Sequence, residues 1–269
     1  MCNKHSGWAR AFQTGILATE SAFSVDVTHP FRPREKSPLQ MIRHRPFRNG
    51  FSAPLLPFWL ALAAITALLS VYGANSADPA WEVEATSWVQ SASPYALHQI
   101  AKFMTVIGRS PISTVIPAVA IAVMWVWGQR HLSIFLAAAA LARVLSEVVK
   151  QLVDRPRPSA SVVDVTYQLG GPSFPSGHVL GATLFYGFLI YCAEISISNK
   201  PVRRLVQGSL AIVIALMGYA RVELGAHWPT DVLGGYTIGL LVLSAMVWLH
   251  RRWTGADQKE QPELAATTS

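Results

Sequence analysis

Charge is scarce in this sequence. Asp, Glu, Lys and Arg make up 14% of its 269 residues, where a soluble domain carries about 25%. A water-soluble surface is therefore hard to build from it. Cysteine is nearly absent: Cys2 lies in a polar tail and Cys192 in an apolar run, which excludes a disulfide framework. No acidic cluster has metal-ligand spacing, so metal-independent chemistry without a cofactor is expected. No folded nucleic-acid-binding motif accompanies the positive charge, so nucleic acid is not an expected partner.

What the chain has instead is apolar residues, 51% of the total, bunched into six runs at about 55–72, 111–127, 132–149, 179–195, 205–220 and 232–249. Each approaches the ~17–25 residues a helix needs to cross the hydrocarbon core of a bilayer. The pattern predicts an all-α, polytopic bundle of six transmembrane helices. It sits between a basic, mostly disordered cytoplasmic tail over 1–50 and a polar cytoplasmic tail over 251–269, leaving 51–250 as one membrane domain. The third run carries Arg143 and Glu147, four apart and able to pair on one helical face. The segment 73–110 holds Trp81, Trp88 and Tyr95, residues that favour a membrane interface, and predicts a short interfacial helix. The first run also reads as a signal peptide ending near Ala74 to Ala77, and Met41 is an alternative start.

The net charge of +7 is unevenly placed. Residues 1–50 hold eight Lys or Arg against three acids, leaving five of the seven net charges there. With six spans, Arg43, Arg45 and Arg48, then Arg130, then Lys200, Arg203 and Arg204, then Arg251 and Arg252 all fall on one side. The positive-inside rule makes that side the cytoplasm, with both termini inside. The segments 150–178 and 221–231 then face outward, yet they too carry Lys150, Arg155, Arg157 and Arg221. Cations that oppose the topological bias need a reason of their own.

Three clusters supply one. Lys150 precedes Arg155-Pro156-Arg157-Pro158, where each proline holds the arginine before it extended. Lys150 and Arg157 can then converge on one anion, a point charge and a planar fork. Ser176, Gly177 and His178 open the fourth apolar helix. Ser176 suits a cap, Gly177 admits close approach, and helix N-terminal amides attract phosphate. Arg221, His227 and Asp231 straddle the start of the sixth helix, where Pro229 fits the first turn. A carboxylate on one ring nitrogen of His227 frees the other to attack. Taken singly, the segments also read as a snorkelling basic helix end, an ordinary helix start and a dipole partner for Asp231.

Taken together they resemble the type-2 phosphatidic acid phosphatase family, which shares its site with vanadium haloperoxidases. That family's pattern is Lys-x6-Arg-Pro, then Pro-Ser-Gly-His, then Ser-Arg-x5-His-x3-Asp. Lys150, Arg157, Pro158, Pro175, Ser176, Gly177, His178, Arg221, His227 and Asp231 match it in order and spacing. The one departure is Ala220, where the pattern has serine. A serine hydroxyl there would support the neighbouring arginine or the phosphate. The resemblance implies a phosphatase core like that of the haloperoxidases. It further implies phosphate binding by Lys150, Arg157, Ser176, Gly177 and Arg221. His227 would be the nucleophile that forms a phosphohistidine, Asp231 its orienting carboxylate and His178 the general acid. Glu147, one turn before Lys150, is expected to support it.

The resemblance also implies the reaction: hydrolysis of a phosphate monoester or diphosphate on a membrane lipid, at the outer face of a plasma (inner) membrane. Phosphatidic acid, phosphatidylglycerol phosphate, undecaprenyl diphosphate and phosphorylated lipid A are the candidate substrates. A lipid phosphotransferase, a haloperoxidase and a catalytically silent lipid-binding protein are the rival readings.

Overall fold

A helix that is apolar on every side must be buried in a protein core or in lipid. Helix α1, Leu55–Asn75, is of this kind, and it is little covered by the rest of the protein: Leu56, Leu60, Leu68 and Val71 are all exposed. The computed structural model describes residues 55–267 apart from 110 and 168, all within one compact unit, Ile42–Ser269. The expectations for the basic segment 1–50, Met41 included, lie outside the described residues. The described residues are helical and contain no strand.

After α1 come α2 (Ala80–Ala92), α3 (Tyr95–Gly108), α4 (Ile112–Val126), α5 (Arg130–Ala142), α6 (Leu145–Val153), α7 (Gly177–Ser196), α8 (Lys200–Glu223) and α9 (Pro229–Thr267). Five spans are long and apolar enough to cross a membrane: α1, α5 with α6, α7, α8, and α9 as far as Gly255. The count becomes six if α3 and α4, bent by 66° at their junction, act as one. Within the segment expected to hold one interfacial helix lie two, α2 and α3. The polar stretch expected as a tail after residue 250 continues as helix to Thr267.

The third apolar run is not one straight helix. At Arg143 and Val144 the backbone tightens, with Ser146 N bonding to Arg143 O and Glu147 N to Val144 O, both at 3.0 Å. These three-residue closures rotate the face that follows. The expected Arg143–Glu147 pairing is therefore not made. Arg143 reaches Ser113 Oγ at 3.4 Å, and Glu147 turns to Lys150.

Helix α7 is the centre of the bundle, packed by α5, α8 and α9. Leu136 of α5 and Leu180, Leu184 and Phe188 of α7 are completely buried in its core. Large apolar side chains on the outer faces, such as Val119, Leu205, Ile212 and Leu240, are exposed. So wide an apolar surface belongs against lipid. Short connections make α7, α8 and α9 successively antiparallel, and the segment 154–176 returns the chain from the end of α6 to the start of α7 beside Lys150. The C-terminal ends of α6 and α8 therefore meet the N-terminal ends of α7 and α9 at one end of the bundle. Helices α2 and α3 pack against α8 at that same end.

Candidate active site

Helix α6 stops at Val153, where Asp154 takes a left-handed conformation (φ 46°) that Asp tolerates better than most residues. The proline-punctuated segment that follows cannot resume the helix. It lays its two arginines in different places. Arg155 is fully buried beneath the site. Arg157 lies over it, with Nε donating to Gly171 O at 3.0 Å, Nη1 to Ala226 O at 2.8 Å and Nη2 to Pro172 O at 3.2 Å. Lys150, in the last turn of α6, places its ammonium 2.9 Å from Glu147 Oε1. That ammonium also lies 3.7 Å from the point where a Cβ on Gly177 would stand, which puts it beside the start of α7.

Ser176 holds the N-cap position of α7, but the expected cap bond is not made. Its hydroxyl is buried with no hydrogen-bond partner among the described residues. The reason is backbone placement: Ser176 N donates to Asp231 O at 3.0 Å, so α9 crosses against the start of α7. A Cβ at Gly235 would stand 2.9 Å from Ser176 O and 3.0 Å from Val179 Cβ, so this crossing requires a glycine there. His178 follows on the first turn of α7, its ring packed against Gly108 at the end of α3. It is close enough to Arg221, His227, Lys150 and Arg157 to feel the charge of each.

Arg221 lies in the last turn of α8 and is almost completely buried. Its Nη2 donates to Thr105 Oγ1 on α3, while Nε finds no partner among the described residues. Ala220 does not face this pocket. It is packed with Ala101, Met104 and Leu224 in a small apolar cluster. The guanidinium thus meets a hydroxyl after all, from α3 instead of from the preceding residue.

His227 is 1% exposed. Its Nε2 lies 3.2 Å from Arg157 Nη1. A guanidinium can only donate, so Nε2 must be the acceptor and the ring proton sits on Nδ1. On that side Asp231 Oδ2 stands 3.6 Å away, beyond direct hydrogen-bond range. The expected direct bond is replaced by a bridge through Ser173. Its hydroxyl lies 3.4 Å from Nδ1 and donates to Asp231 Oδ2. Oδ2 also accepts from Trp228 N at 2.8 Å. Burial pushes the His227 imidazole down to about 4, against the pull of Asp231, so the ring is neutral near neutral pH. Burial likewise lowers Arg157, opposed by Asp231 and Glu147.

The structure therefore gathers Lys150, Arg157, Ser176, Gly177, His178, Arg221, His227 and Asp231 at one end of the bundle. Three cations, a buried hydroxyl without a partner among the described residues and the N-terminus of α7 lie close to two imidazoles. Such an arrangement can bind a phosphoryl group, attack it from a neutral nitrogen and protonate what leaves. Beside it, Arg157, Tyr167, Leu169 and Ala226 line a cavity of about 250 Å³. Four polar residues in or behind these contacts were given no role from sequence: Glu82, Thr105, Arg155 and Ser173. Arg155 carried a visible signal, since it repeats the Arg-Pro pair of Arg157. Glu82 and Thr105 carried none.

Comparison with known proteins finds a family and several relatives. Residues 131–254 match the PAP2 superfamily. Phosphatidylglycerophosphatase B of Bacillus subtilis is 35% identical over 104 residues, 37% of this chain and 48% of that protein. The putative undecaprenyl-diphosphatase YbjG of Escherichia coli is 34% identical over 142 residues, 50% of this chain and 66% of that protein. The chain thus spans about half to just under two thirds of the length of these curated relatives. The crystal structure of a transmembrane PAP2-type phosphatidylglycerolphosphate phosphatase from Bacillus subtilis superposes with a TM-score of 0.59 at 21% identity. That likeness covers 75% of this chain and 96% of the other and concerns the fold. Residues 131–254 thus carry a PAP2 superfamily domain, within a helical fold whose described residues hold five to six candidate membrane spans.

Proposed function

We propose that the protein is an integral membrane lipid phosphatase working through a phosphohistidine. The observation that carries the reading is the His227 ring. It is neutral and buried, with Nε2 turned toward Arg157 at 3.2 Å and Nδ1 toward the Ser173–Asp231 pair. Lys150, Arg157 and Arg221 hold the phosphoryl oxygens, with the Ser176 hydroxyl and the α7 amides completing the cradle. When the phosphate arrives, Arg157 Nη1 exchanges Nε2 for a phosphoryl oxygen. The Nε2 lone pair then forms a bond to phosphorus as the bond to the lipid oxygen breaks, and His178 gives that oxygen a proton. In the second half a water attacks phosphorus, passes a proton to His178 and releases phosphate as the phosphorus–nitrogen bond breaks. Fixed cations supply the charge stabilisation, and no metal ion is required.

The substrate is a phosphate monoester or diphosphate whose acyl or prenyl chains remain in the bilayer. The names of the relatives put phosphatidylglycerol phosphate and undecaprenyl diphosphate first, with phosphatidic acid and phosphorylated lipid A beside them. The site lies at the end of the bundle opposite Arg130, Lys200, Arg203 and Arg204. By the positive-inside rule that end is extracytoplasmic in a plasma (inner) membrane.

The test is phosphate release by purified protein from a panel of these lipids, with chelator present. Wild type releases phosphate and His227→Ala falls by about 10⁴-fold or more. Activity abolished by chelator, or retained by His227→Ala, overturns the mechanism. Phosphate that appears on an added acceptor lipid instead of in solution makes the protein a phosphotransferase.

A further inference from the structure

Beneath the proposed nucleophile lies a second set of charges with no assigned role. The Arg155 side chain is completely buried, and all three of its nitrogens are engaged. Nε donates to Ser76 O at 3.1 Å, Nη1 to Thr230 Oγ1 at 2.6 Å and to Asp231 Oδ1 at 2.8 Å, and Nη2 to Glu82 Oε2. Glu82, also completely buried, uses its other oxygen to accept from Thr230 N at 3.0 Å and Thr230 Oγ1 at 2.6 Å. Tyr72 and Trp228 flank the guanidinium, their ring centres 5.7 and 5.9 Å from Arg155 Cζ.

Two consequences follow from this wiring. The first is geometric. With Oδ1 of Asp231 held by Arg155, the carboxylate cannot rotate, and Oδ2 stays aimed at Ser173 and the His227 ring. The second is electrostatic. A buried Arg155 facing Asp231 alone would cancel its charge. Glu82 adds a second negative charge, so the three-group cluster keeps a net charge of −1. The ring of His227 becomes positive as Nε2 bonds to phosphorus, and in a low-dielectric interior that remaining negative charge counts for more than it would in water.

We propose that Glu82 and Arg155 are positioning residues of the phosphoryl-transfer site: they lock the Asp231 carboxylate and preserve its charge toward His227. This rests on the phosphohistidine reading above. It also gives α2, which precedes the family-matched region 131–254, a part in the chemistry. Helix α2 leaves Trp81 and Trp88 exposed and turns Glu82 inward.

The experiment is a double-mutant cycle on the full-length protein in detergent, using a lipid that wild type hydrolyses. Glu82→Gln keeps the shape and an acceptor for Thr230 but removes the charge. Its kcat is expected to drop about 30-fold, within the range lost when the outer partner of a functional histidine is removed, while KM stays within about twofold. In the Asp231→Asn background the same change is expected to cost less than about threefold, because its route to His227 is already cut. An unchanged kcat in Glu82→Gln, or an equal loss in both backgrounds, overturns the proposal. Should Glu82→Gln accumulate too poorly to assay, Thr230→Val perturbs the same network and is judged by the same two outcomes. Wild type inactive on every lipid brings down the functional reading and this one with it. Active wild type with a failed cycle brings down only the positioning role.

Discussion

The two sides of the His227 imidazole are built on opposite terms. On the Nδ1 side every strong charge has an opposite partner: Arg155 lies between Glu82 and Asp231, one negative charge is left in excess, and Asp231 Oδ2 is further held by Ser173 and Trp228 N. On the Nε2 side, positive groups dominate. Arg157 and Arg221 have no carboxylate partner among the described residues, Lys150 has only the exposed Glu147, and a buried hydroxyl is left unpaired. Matched buried charges fix geometry, whereas removing one partner is costly. Gathered, unmatched cations are costly in an empty protein and are relieved by an anion. The contrast separates a side held by paired charges from a side that an anion would relieve.

Removing a charge from the matched side should strike stability hardest. Arg155→Met strands two buried carboxylates, and a loss of about 3–5 kcal/mol is expected, read as a lower unfolding temperature in detergent. If Arg155→Met is as stable as wild type, the matched side is not structural and the comparison breaks.

On the open side the signs reverse. Arg221→Ala should lower kcat/KM by roughly 10²–10³-fold, as for loss of one preorganised donor to a transferring group. Its empty form should be no less stable than wild type, since a like charge has left the cluster. Inorganic phosphate sharpens the contrast: at about 100 times its Kd it should stabilise wild type by about 2.7 kcal/mol and Arg221→Ala by much less. A thermal-shift titration measures both.

Acid should distinguish the two sides next. The folded His227 ring titrates at about 4, below its ordinary 6.5. From pH 6.5 down to about 4 the unfolded chain takes up a proton that the folded protein refuses, so stability declines as pH falls. The neutral nucleophile nevertheless persists through that window. The acid limb of kcat/KM, corrected for substrate ionisation, should therefore lie near pH 4, with about tenfold lost per unit below it. A limb near 6.5 would mean that the ring is not buried in the free enzyme.

The smallest effect is expected from Glu147. It is 64% exposed and meets Lys150 as a surface pair, worth at most about 1 kcal/mol. Glu147→Ala should change kcat/KM by less than about fivefold; a hundredfold loss would give Lys150 a dependence on Glu147 that its exposure does not indicate.

Much of this was legible from the chain itself. The helical class followed from the lengths of the apolar runs, and the ten motif positions from their resemblance to a known family's pattern. The losses have particular causes. The run at 132–149 read as one helix because hydrophobic period does not register a three-residue closure at Arg143 and Val144. Segment 73–110 read as one interfacial helix because its aromatics were conspicuous, yet two helices occupy it. Ser176 read as a cap, a role that depends on where its hydroxyl points. Glu82 was invisible: beside Trp81 in a polar stretch it looks like a solvated acid, and its partners Arg155 and Thr230 lie 73 and 148 positions later.

The sequence by itself determined that this chain is a set of apolar helices with a family's motif residues between them, because span length, charge bias and motif spacing are local properties of a polymer. Only the tertiary structure decided which arginine meets carboxylates and which lies beside the His227 ring, and that a hydroxyl from Thr105 reaches Arg221. Those outcomes depend on the directions of side chains brought together from distant segments, and burial gives them their energy.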